Sequence, residues 1–301
     1  MAKTAIVILN WNQKKDTAEC LRSLGSLSDA AQIILVDNGS TDGSPGELEK
    51  EFPRVKLLRN GENLGFAEGN NIGIRTALNQ GAEYIMLLNN DTTVEKDFLD
   101  RLLQAMKADD SIGIASPKIM FYQDRNKLWF AGGGYYPLIG KPYHYYYGQT
   151  DSGQIKDVKT VDWVSGCCLL VKREVFERIG LLDKDYFNNY EDVDFCARAR
   201  RAGYKIVVVP QAKIYHKFAA AMGGKFSPFY TYFRVRNNLL FFKKSSRRLP
   251  LVLNFIIFPA YSLIASLKHG DWASVRATFA AVLDFLRGNY GLGSAKSFQK
   301  Q

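Results

Sequence analysis

Gln32-Ile33-Ile34-Leu35-Val36-Asp37-Asn38-Gly39-Ser40-Thr41-Asp42-Gly43 is an apolar run that breaks abruptly into a polar, turn-forming loop. An apolar strand with little alternation belongs to a sheet covered on both faces. The same pattern recurs at 4–9, followed by Asn10-Trp11-Asn12, and at 84–88, followed by Asn89-Asn90-Asp91. Residues 54–58 read as a further strand. Helical patterns at 16–24, 45–51 and 67–80 lie between these runs, the last stopped by Gly81. The βαβα order predicts an α/β fold with a mostly parallel central sheet, right-handed crossovers and flanking helices. Ligands of such sheets bind beyond the carboxyl ends of the strands. The polar loops sit at those ends, so a mononucleotide site is expected there.

Downstream, 96–108 reads as a helix, 121–147 as irregular and aromatic, 161–171 as a strand and 173–179 as a helix. Residues 191–202 form a helix pattern ended by Gly203, and 205–209 and 212–216 read as strands. The last third differs. Residues 230–242 are aromatic and basic, Lys243-Lys244-Ser245-Ser246-Arg247-Arg248 is a cationic run, and 249–267 carry no charge but contain Pro259. An amphipathic stretch at 272–286 precedes a Gly-containing tail that reads as loose. No internal repeat is present.

With 301 residues, 47% of them hydrophobic, the chain can bury a core without cross-links. Its four cysteines lack C-x-x-C spacing, and Cys167-Cys168 lies in an apolar run, so they read as buried small hydrophobes in a reducing compartment. The apolar stretch 5–9 is too short for a secretory signal. The net charge of +10 is uneven, with no acidic residue between Asp194 and Asp271, which points to an anionic partner: lipid headgroups, diphosphate or nucleic acid. Gly132-Gly133-Gly134 lacks the dinucleotide spacing, and no P-loop, H-E-x-x-H or G-x-S-x-G occurs.

Asp37 could accept hydrogen bonds from a nucleotide, although an Asx turn explains Asp-Asn-Gly-Ser equally well. Asn89-Asn90-Asp91 offers hard oxygen ligands for a cation on a diphosphate, or is simply a polar loop. Glu191-Asp192-Val193-Asp194 puts three carboxylates at a helix start. One of them could serve as a general base kept ionised by the helix dipole, yet acids are common in any first helical turn. Asp194 with Arg198 reads as a plain surface pair. His216 is a candidate metal ligand or diphosphate contact, or a structural histidine.

The order of these motifs resembles the family-2 glycosyltransferases of GT-A (Rossmann-like) fold, in particular a rhamnosyltransferase-like branch. The resemblance runs from Ile6-Val7-Ile8-Leu9-Asn10-Trp11-Asn12 through the Asp37 loop to Asn63-Leu64-Gly65-Phe66-Ala67-Glu68-Gly69-Asn70-Asn71-Ile72-Gly73. It continues through Leu87-Leu88-Asn89-Asn90-Asp91-Thr92, Tyr190-Glu191-Asp192-Val193-Asp194-Phe195, Ile214-Tyr215-His216 ahead of Gly223-Gly224, and Arg234-Val235-Arg236-Asn237-Asn238. It implies a donor site of Leu9, Asn10, Trp11, Asp37, Asn38, Ser40, Asn63, Gly65, Phe66, Asn70 and Asn90. Asp91 and His216 would hold Mg²⁺ or Mn²⁺; Asn89 stands where the D-x-D motif has its first acid. Asp192 would be the catalytic base, with Gly166 and Glu191 on the acceptor side.

The activity so implied is an inverting transfer of a sugar, rhamnose from dTDP-rhamnose, to a polyprenyl-diphosphate-linked saccharide acceptor in surface polysaccharide synthesis. UDP-hexose donors are an alternative. Residues 1–226 would form the GT-A domain (donor half 1–117, acceptor half 118–226). Residues 227–301 would form a helical appendage on an anionic membrane surface, peripheral or monotopic, at the cytoplasmic face of the bacterial inner membrane. For 249–267 a membrane span, an interfacial helix, a shallow hairpin and a buried core pair all fit. A nucleotidyltransferase would need a Gly-rich basic loop after the first strand, where Asn10-Trp11-Asn12-Gln13 stands. A nucleic-acid-binding module would leave the acidic clusters unexplained, so nucleic acid is not expected as a partner.

Overall fold

The computed structural model describes residues 3–27, 31–136, 141–217, 227–245 and 248–298. Its first half runs β1 (Thr4–Asn10), α1 (Lys14–Ser23), β2 (Ala31–Asp37), α2 (Ser44–Glu51), β3 (Lys56–Arg59), α3 (Gly65–Asn79) and β4 (Tyr84–Asn89). These strands pair in parallel in the order β3-β2-β1-β4. The register sets Asn10 opposite Asp37 and Leu9 opposite Asn89, so all three polar loops leave one edge of the sheet. Close packing of α3 explains one glycine of the Asn63–Gly73 motif. A Cβ on Gly73 would lie 2.3 Å from Val7 Cγ1, so only a bare backbone lets this helix reach β1.

The second half contains β5 (Thr92–Val94), α4 (Phe98–Ala108), β6 (Ile112–Phe121), β7 (Leu128–Phe130), β8 (Gly133–Tyr135), β9 (Pro142–His144), β10 (Lys159–Thr160), β11 (Cys168–Lys172), α5 (Arg173–Ile179), α6 (Glu191–Arg201) and β12 (Lys205–His216). Strand β11 runs antiparallel between β4 and β6, and β12 lies parallel to β6. The expected strand over 161–171 is therefore mostly loop, with only its end in the sheet. The two strands expected at 205–209 and 212–216 are one. Its register shifts between Val209 and Lys213, where Pro210 has no N–H to give the ladder. Among its described residues, the stretch expected to be irregular holds three short strands, of which β8 and β9 form a separate antiparallel pair.

Among the described residues three α-helices follow: α7 (Pro228–Lys244), α8 (Arg248–Lys268) and α9 (Trp272–Arg287). Ser227 caps α7 by accepting from Tyr230 N (3.1 Å), and Asp271 caps α9 by accepting from Ser274 N (3.0 Å). The expected boundary at 226/227 adjoins residues outside the described ones, and α7 beyond it is shared between two cores. Leu240, Phe241 and Phe242 join the main core, while Tyr232, Phe233 and Val235 pack with Phe187, Phe258 and Ala281. Helix α8 continues through Pro259 and is long and apolar enough to cross a membrane. It is not part of a buried core pair: Asn254 and Ser262 are each 1% exposed, whereas Leu249 is 69% and Ile256 66% exposed. The tail is not loose through its whole length, since Gly293–Phe298 forms a 3₁₀ helix with Ala295 buried. Gly223-Gly224, Ser246 and Arg247 lie outside the described residues.

Candidate active site

At the head of the β1–β2 edge, Asn10 is buried and its amide is fully committed. Its Nδ2 donates to Asp37 Oδ1 (2.9 Å), Ser40 Oγ (3.1 Å) and Ser44 Oγ (2.9 Å), and its Oδ1 accepts from Thr17 Oγ1 (2.7 Å). Asp37 also accepts from Ser40 N (3.2 Å), so the carboxylate fastens its own loop, as the turn reading anticipates. Asn38 is equally engaged: it donates to Asn63 Oδ1 and the Gly65 carbonyl, and accepts from Asn60 Nδ2 and Leu64 N. Asn63 in turn accepts from Gly65 N (2.9 Å), closing the turn into α3. Asn70 is buried and donates to the Phe66 carbonyl (2.8 Å). Leu9, Trp11, Asn63 and Phe66 remain half-buried at this edge.

Asn90 donates to Gln13 Oε1 (3.2 Å) and Thr17 Oγ1 (2.8 Å), tying the β4 loop to α1. Asp91 is buried, and its Oδ1 lies 3.1 Å from His216 Nε2 without a well-formed hydrogen bond. The partner sits at the end of β12 because His216 pairs with Thr92 in β5. Lys217, next in sequence, donates its backbone N–H to the Asp91 carbonyl (2.9 Å) and its Nζ to Asp16 and Glu19 (2.6 Å each). No group of three or more His, Cys, Asp or Glu side chains suits a metal among the described residues. A carboxylate with an unbonded buried oxygen beside an imidazole does fit a hard divalent cation whose other ligands come from a diphosphate and water.

Asp192 occupies the first turn of α6, with Oδ2 accepting from Gly166 N (2.8 Å) and Oδ1 from Val193 N (2.7 Å). A Cβ on Gly166 would sit 3.1 Å from the Phe66 ring and 3.6 Å from Asp192 Cβ, so Phe66, Gly166 and Asp192 converge. Gly166 precedes Cys167, whose carbonyl accepts from Asn89 N (2.8 Å) two residues before Asp91. The Asp91 loop and the Asp192 turn are thus two ends of one short bridge. The electrostatics agree: burial first, then the charge of Asp91 and more weakly that of Asp192, push up the Cys167 thiol. All four cysteines are buried and free, as expected.

Burial raises the Asp192 carboxyl above its ordinary range, against the pull of the Gly166 and Val193 N–H groups. Glu191 is raised much further, by burial and then by the charge of Asp192, and its Oε2 is buried without a hydrogen bond. The helix N-terminus therefore does not hold both acids ionised at ordinary carboxylate pH. Asp194 is buried too. Arg198, bonded to it at 2.7 Å, also donates to the Ile179 and Leu181 carbonyls, so this is a partly buried clamp on a loop and not a surface pair.

Sequence reasoning assigned no role to the groups that hold this turn. Phe187, Asn189 and Tyr190 all have positive φ, at 62°, 67° and 76°, a conformation that costs about 1–3 kcal/mol per non-glycine residue. Asn237 Nδ2 donates to the Tyr186, Asn188 and Asn189 carbonyls at 2.7–2.8 Å. Arg236, fully buried, donates to the Asp185 and Tyr186 carbonyls, and Asn238 donates to Tyr190 Oη (2.9 Å). Gly65 fits beneath the same turn: at φ +79° its Cβ would be 2.6 Å from the Phe187 ring, and Phe187 O accepts from Phe66 N (2.7 Å). Three buried polar residues in a row on an otherwise aromatic helix are the signal that was available.

A model described as Glycosyl transferase family 2 matches residues 5–180. The chain is 29% identical over 281 residues to a dTDP-rhamnosyl transferase, RfbF, of Shigella flexneri, covering 87% of this chain and 88% of that one. It is 31% identical over 228 residues to an N-acetylglucosaminyl-diphospho-decaprenol L-rhamnosyltransferase of Mycobacterium tuberculosis, covering 67% and 73%. Among solved structures it is similar in fold to a mannosyltransferase of Pyrobaculum calidifontis in complex with GDP-Man and Mn²⁺. That match has TM-score 0.58 and 16% identity and covers 98% of this chain and 84% of that one. It is also similar to GalNAc-T7 with UDP, GalNAc and Mn²⁺, with TM-score 0.62, 18% identity and coverage of 78% and 47%. The mixed, mostly parallel sheet with flanking helices is the GT-A fold, and the chain, matched over more than half its length, belongs to glycosyl transferase family 2.

Proposed function

We propose that this glycosyltransferase moves rhamnose from dTDP-rhamnose to a lipid-linked saccharide, with inversion, in surface polysaccharide synthesis. The observation that carries the reading is the convergence of Asp192, Gly166 and Phe66 one bridge away from Asp91 and His216. The two named rhamnosyltransferase relatives favour the donor, and the decaprenol-linked substrate in one of those names favours the acceptor.

In this reading Leu9, Trp11, Asn63 and Phe66 contact the nucleotide, while Asn10, Asn38, Ser40, Asn70 and Asn90 hold the loops that shape the pocket. Gly65 lets the chain turn into α3. Asp91 and His216 hold Mg²⁺ or Mn²⁺, which when bound neutralises charge on the departing diphosphate. Asp192 takes the proton from the acceptor hydroxyl as that oxygen attacks the anomeric carbon from the face opposite the diphosphate. The new C–O bond forms as the bond to the diphosphate breaks, and configuration inverts. Glu191, whose ionised form is disfavoured by burial, is poorly suited to act as a second nucleophile. Asp192→Asn is expected to lower transfer by roughly 10²–10⁴-fold while donor titration remains near native. Loss of donor binding would put Asp192 in the nucleotide pocket, and retention of configuration in the product by NMR would end the inverting mechanism. A turnover screen of dTDP-rhamnose against UDP-hexoses, with and without Mn²⁺, tests the donor and the cation.

The same reading places the chain at the cytoplasmic face of the inner membrane. Helix α8 is inside out, with Asn254, Ser262 and Ser266 facing the protein and Leu249, Val252, Ile256, Tyr261, Ile264 and Leu267 exposed. On α9 Trp272, Phe279, Leu283 and Leu286 continue that surface. Large exposed apolar surfaces mark interaction sites, and a helix pair lying in the bilayer interface would cover this one. The basic run contributes less than its composition implies, because Lys244 pairs with Asp183 and Asp185.

A further inference from the structure

Helix α7 and the β8–β9 strands meet α8 at a place where two cations share two rings. Lys141 Nζ lies 5.9 Å from the centre of Phe258 and 5.3 Å from that of Tyr261. Arg234 Cζ lies 5.4 Å and 5.9 Å from the same two centres. Each makes a cation–π contact, but such contacts favour a single cation on a ring and do nothing to offset repulsion between two. Among the described residues neither side chain forms an ion pair or a hydrogen bond, and Arg234 Nε is buried without a partner. Burial and the neighbouring Arg234 charge both lower the Lys141 pKa. The surrounding sequence offers no relief, since no Asp or Glu occurs between Asp124 and Asp151 or between Asp194 and Asp271. Segments 137–140 and 218–226 fall inside those acid-free spans.

The position of the pair gives it a use. Arg234 is one turn before Asn238, which holds Tyr190 Oη, and its charge is felt at Tyr190, immediately before Glu191 and Asp192. On the other side Tyr261 belongs to the exposed apolar face of α8. Apolar surface, unneutralised cations and catalytic turn thus follow one another in space. A lipid-linked sugar has the same order of parts: chain, diphosphate, hydroxyl. We propose that Lys141 and Arg234 form a site for the diphosphate of the acceptor, held between the α8 face and the Asp192 turn. The assignment rests on the lipid-linked acceptor proposed above.

The test uses the full-length chain in neutral detergent, with an excess of dTDP and Mn²⁺ to keep the donor pocket occupied. The probe is farnesyl diphosphate, with farnesol as its uncharged counterpart. Native protein is expected to bind the diphosphate more tightly. Lys141→Gln and Arg234→Gln should each weaken that binding about ten-fold without changing farnesol binding. Lys141→Arg and Arg234→Lys should keep most of it, which separates a lost charge from a damaged fold. Equal affinity of native protein for both probes, or of native and double variant for the diphosphate, overturns the site. Variants that lose only adsorption to phosphatidylglycerol vesicles would assign the pair to headgroups and overturn it as well. Failure of the underlying reading looks different. Diphosphate binding would still depend on the pair, while native enzyme transferred sugar equally well to N-acetylglucosamine on a prenyl diphosphate and on a plain alkyl chain. That result keeps the anion site and removes the lipid-linked acceptor.

Discussion

Asp192 and Glu191 are adjacent, yet their surroundings act on them unequally. Burial raises Asp192 while two N–H groups restrain the rise, so its carboxylate loses its charge at a higher pH than an ordinary aspartate. In the proposed mechanism kcat/KM should therefore fall on acidification through a titration above about pH 4, and a limb at or below that value would contradict the assignment. Glu191 is raised by burial and by its neighbour, so its ionised form is disfavoured in the folded state. A folded pKa above the unfolded one means lost stability at neutral pH, none of it felt below the unfolded pKa. Glu191→Gln should raise stability at pH 7 by on the order of 1–3 kcal/mol, with the gain vanishing near pH 4 in paired melting curves. Asp37, Asp91 and Asp192 could be picked out in the sequence because each closes a strand or opens a helix. What Asn10 and Asn38 do could not, because their partners depend on the register of β1 against β2 and on the turn into α3.

Helix α7 reaches the turn before α6 through Asn237, whose amide meets three carbonyls of a segment with three positive φ angles. Asn237→Ala should lower stability by about 2–4 kcal/mol in urea titrations, from lost bonds and carbonyls left without a donor, less whatever strain the turn sheds. It should also reduce kcat while the donor KM stays close to native, because the donor loops rest on β1, β2 and α3. A proportional loss of donor affinity would show that the turn serves the nucleotide side. Helices α1 to α6 were legible to within about two residues because most carry an apolar stripe against the core and α2, whose one buried apolar side chain is Leu48, is marked instead by Pro45 in its first turn. The stretch 161–171 was misread for a physical reason. Apolar residues such as Val161, Trp163 and Val164 are buried as loop, and only from Cys168 does the chain find ladder partners in β4 and β6.

Taken as one molecule, the protein carries its apolar excess on one side, along α8 and α9. Ile256→Lys with Ile264→Lys should cut adsorption to phosphatidylglycerol vesicles by ten-fold or more in flotation assays, since burying one such side chain is worth about 1.5–3 kcal/mol. Native protein that stays dispersed at low salt without detergent would sink the membrane reading. The apolar content of 249–267 was plain in the sequence; its direction was not, because a buried pair and an outward-facing pair have the same composition. The stretch after α9 turns out to be joined to the turn that precedes Asp192. Arg236 donates to the Gly291 carbonyl, Gly291 N to the Asp185 carbonyl, and Asp284 binds Tyr232 Oη and Ser294 N. A protein shortened after Gly288 would keep every side chain proposed to meet nucleotide, cation or acceptor and still lose the latch behind residues 185–190. Such a form should hydrolyse nucleotide sugar in idle turnover while glycosylating little, so trimming for crystallisation ought to be judged by product and not by spent donor.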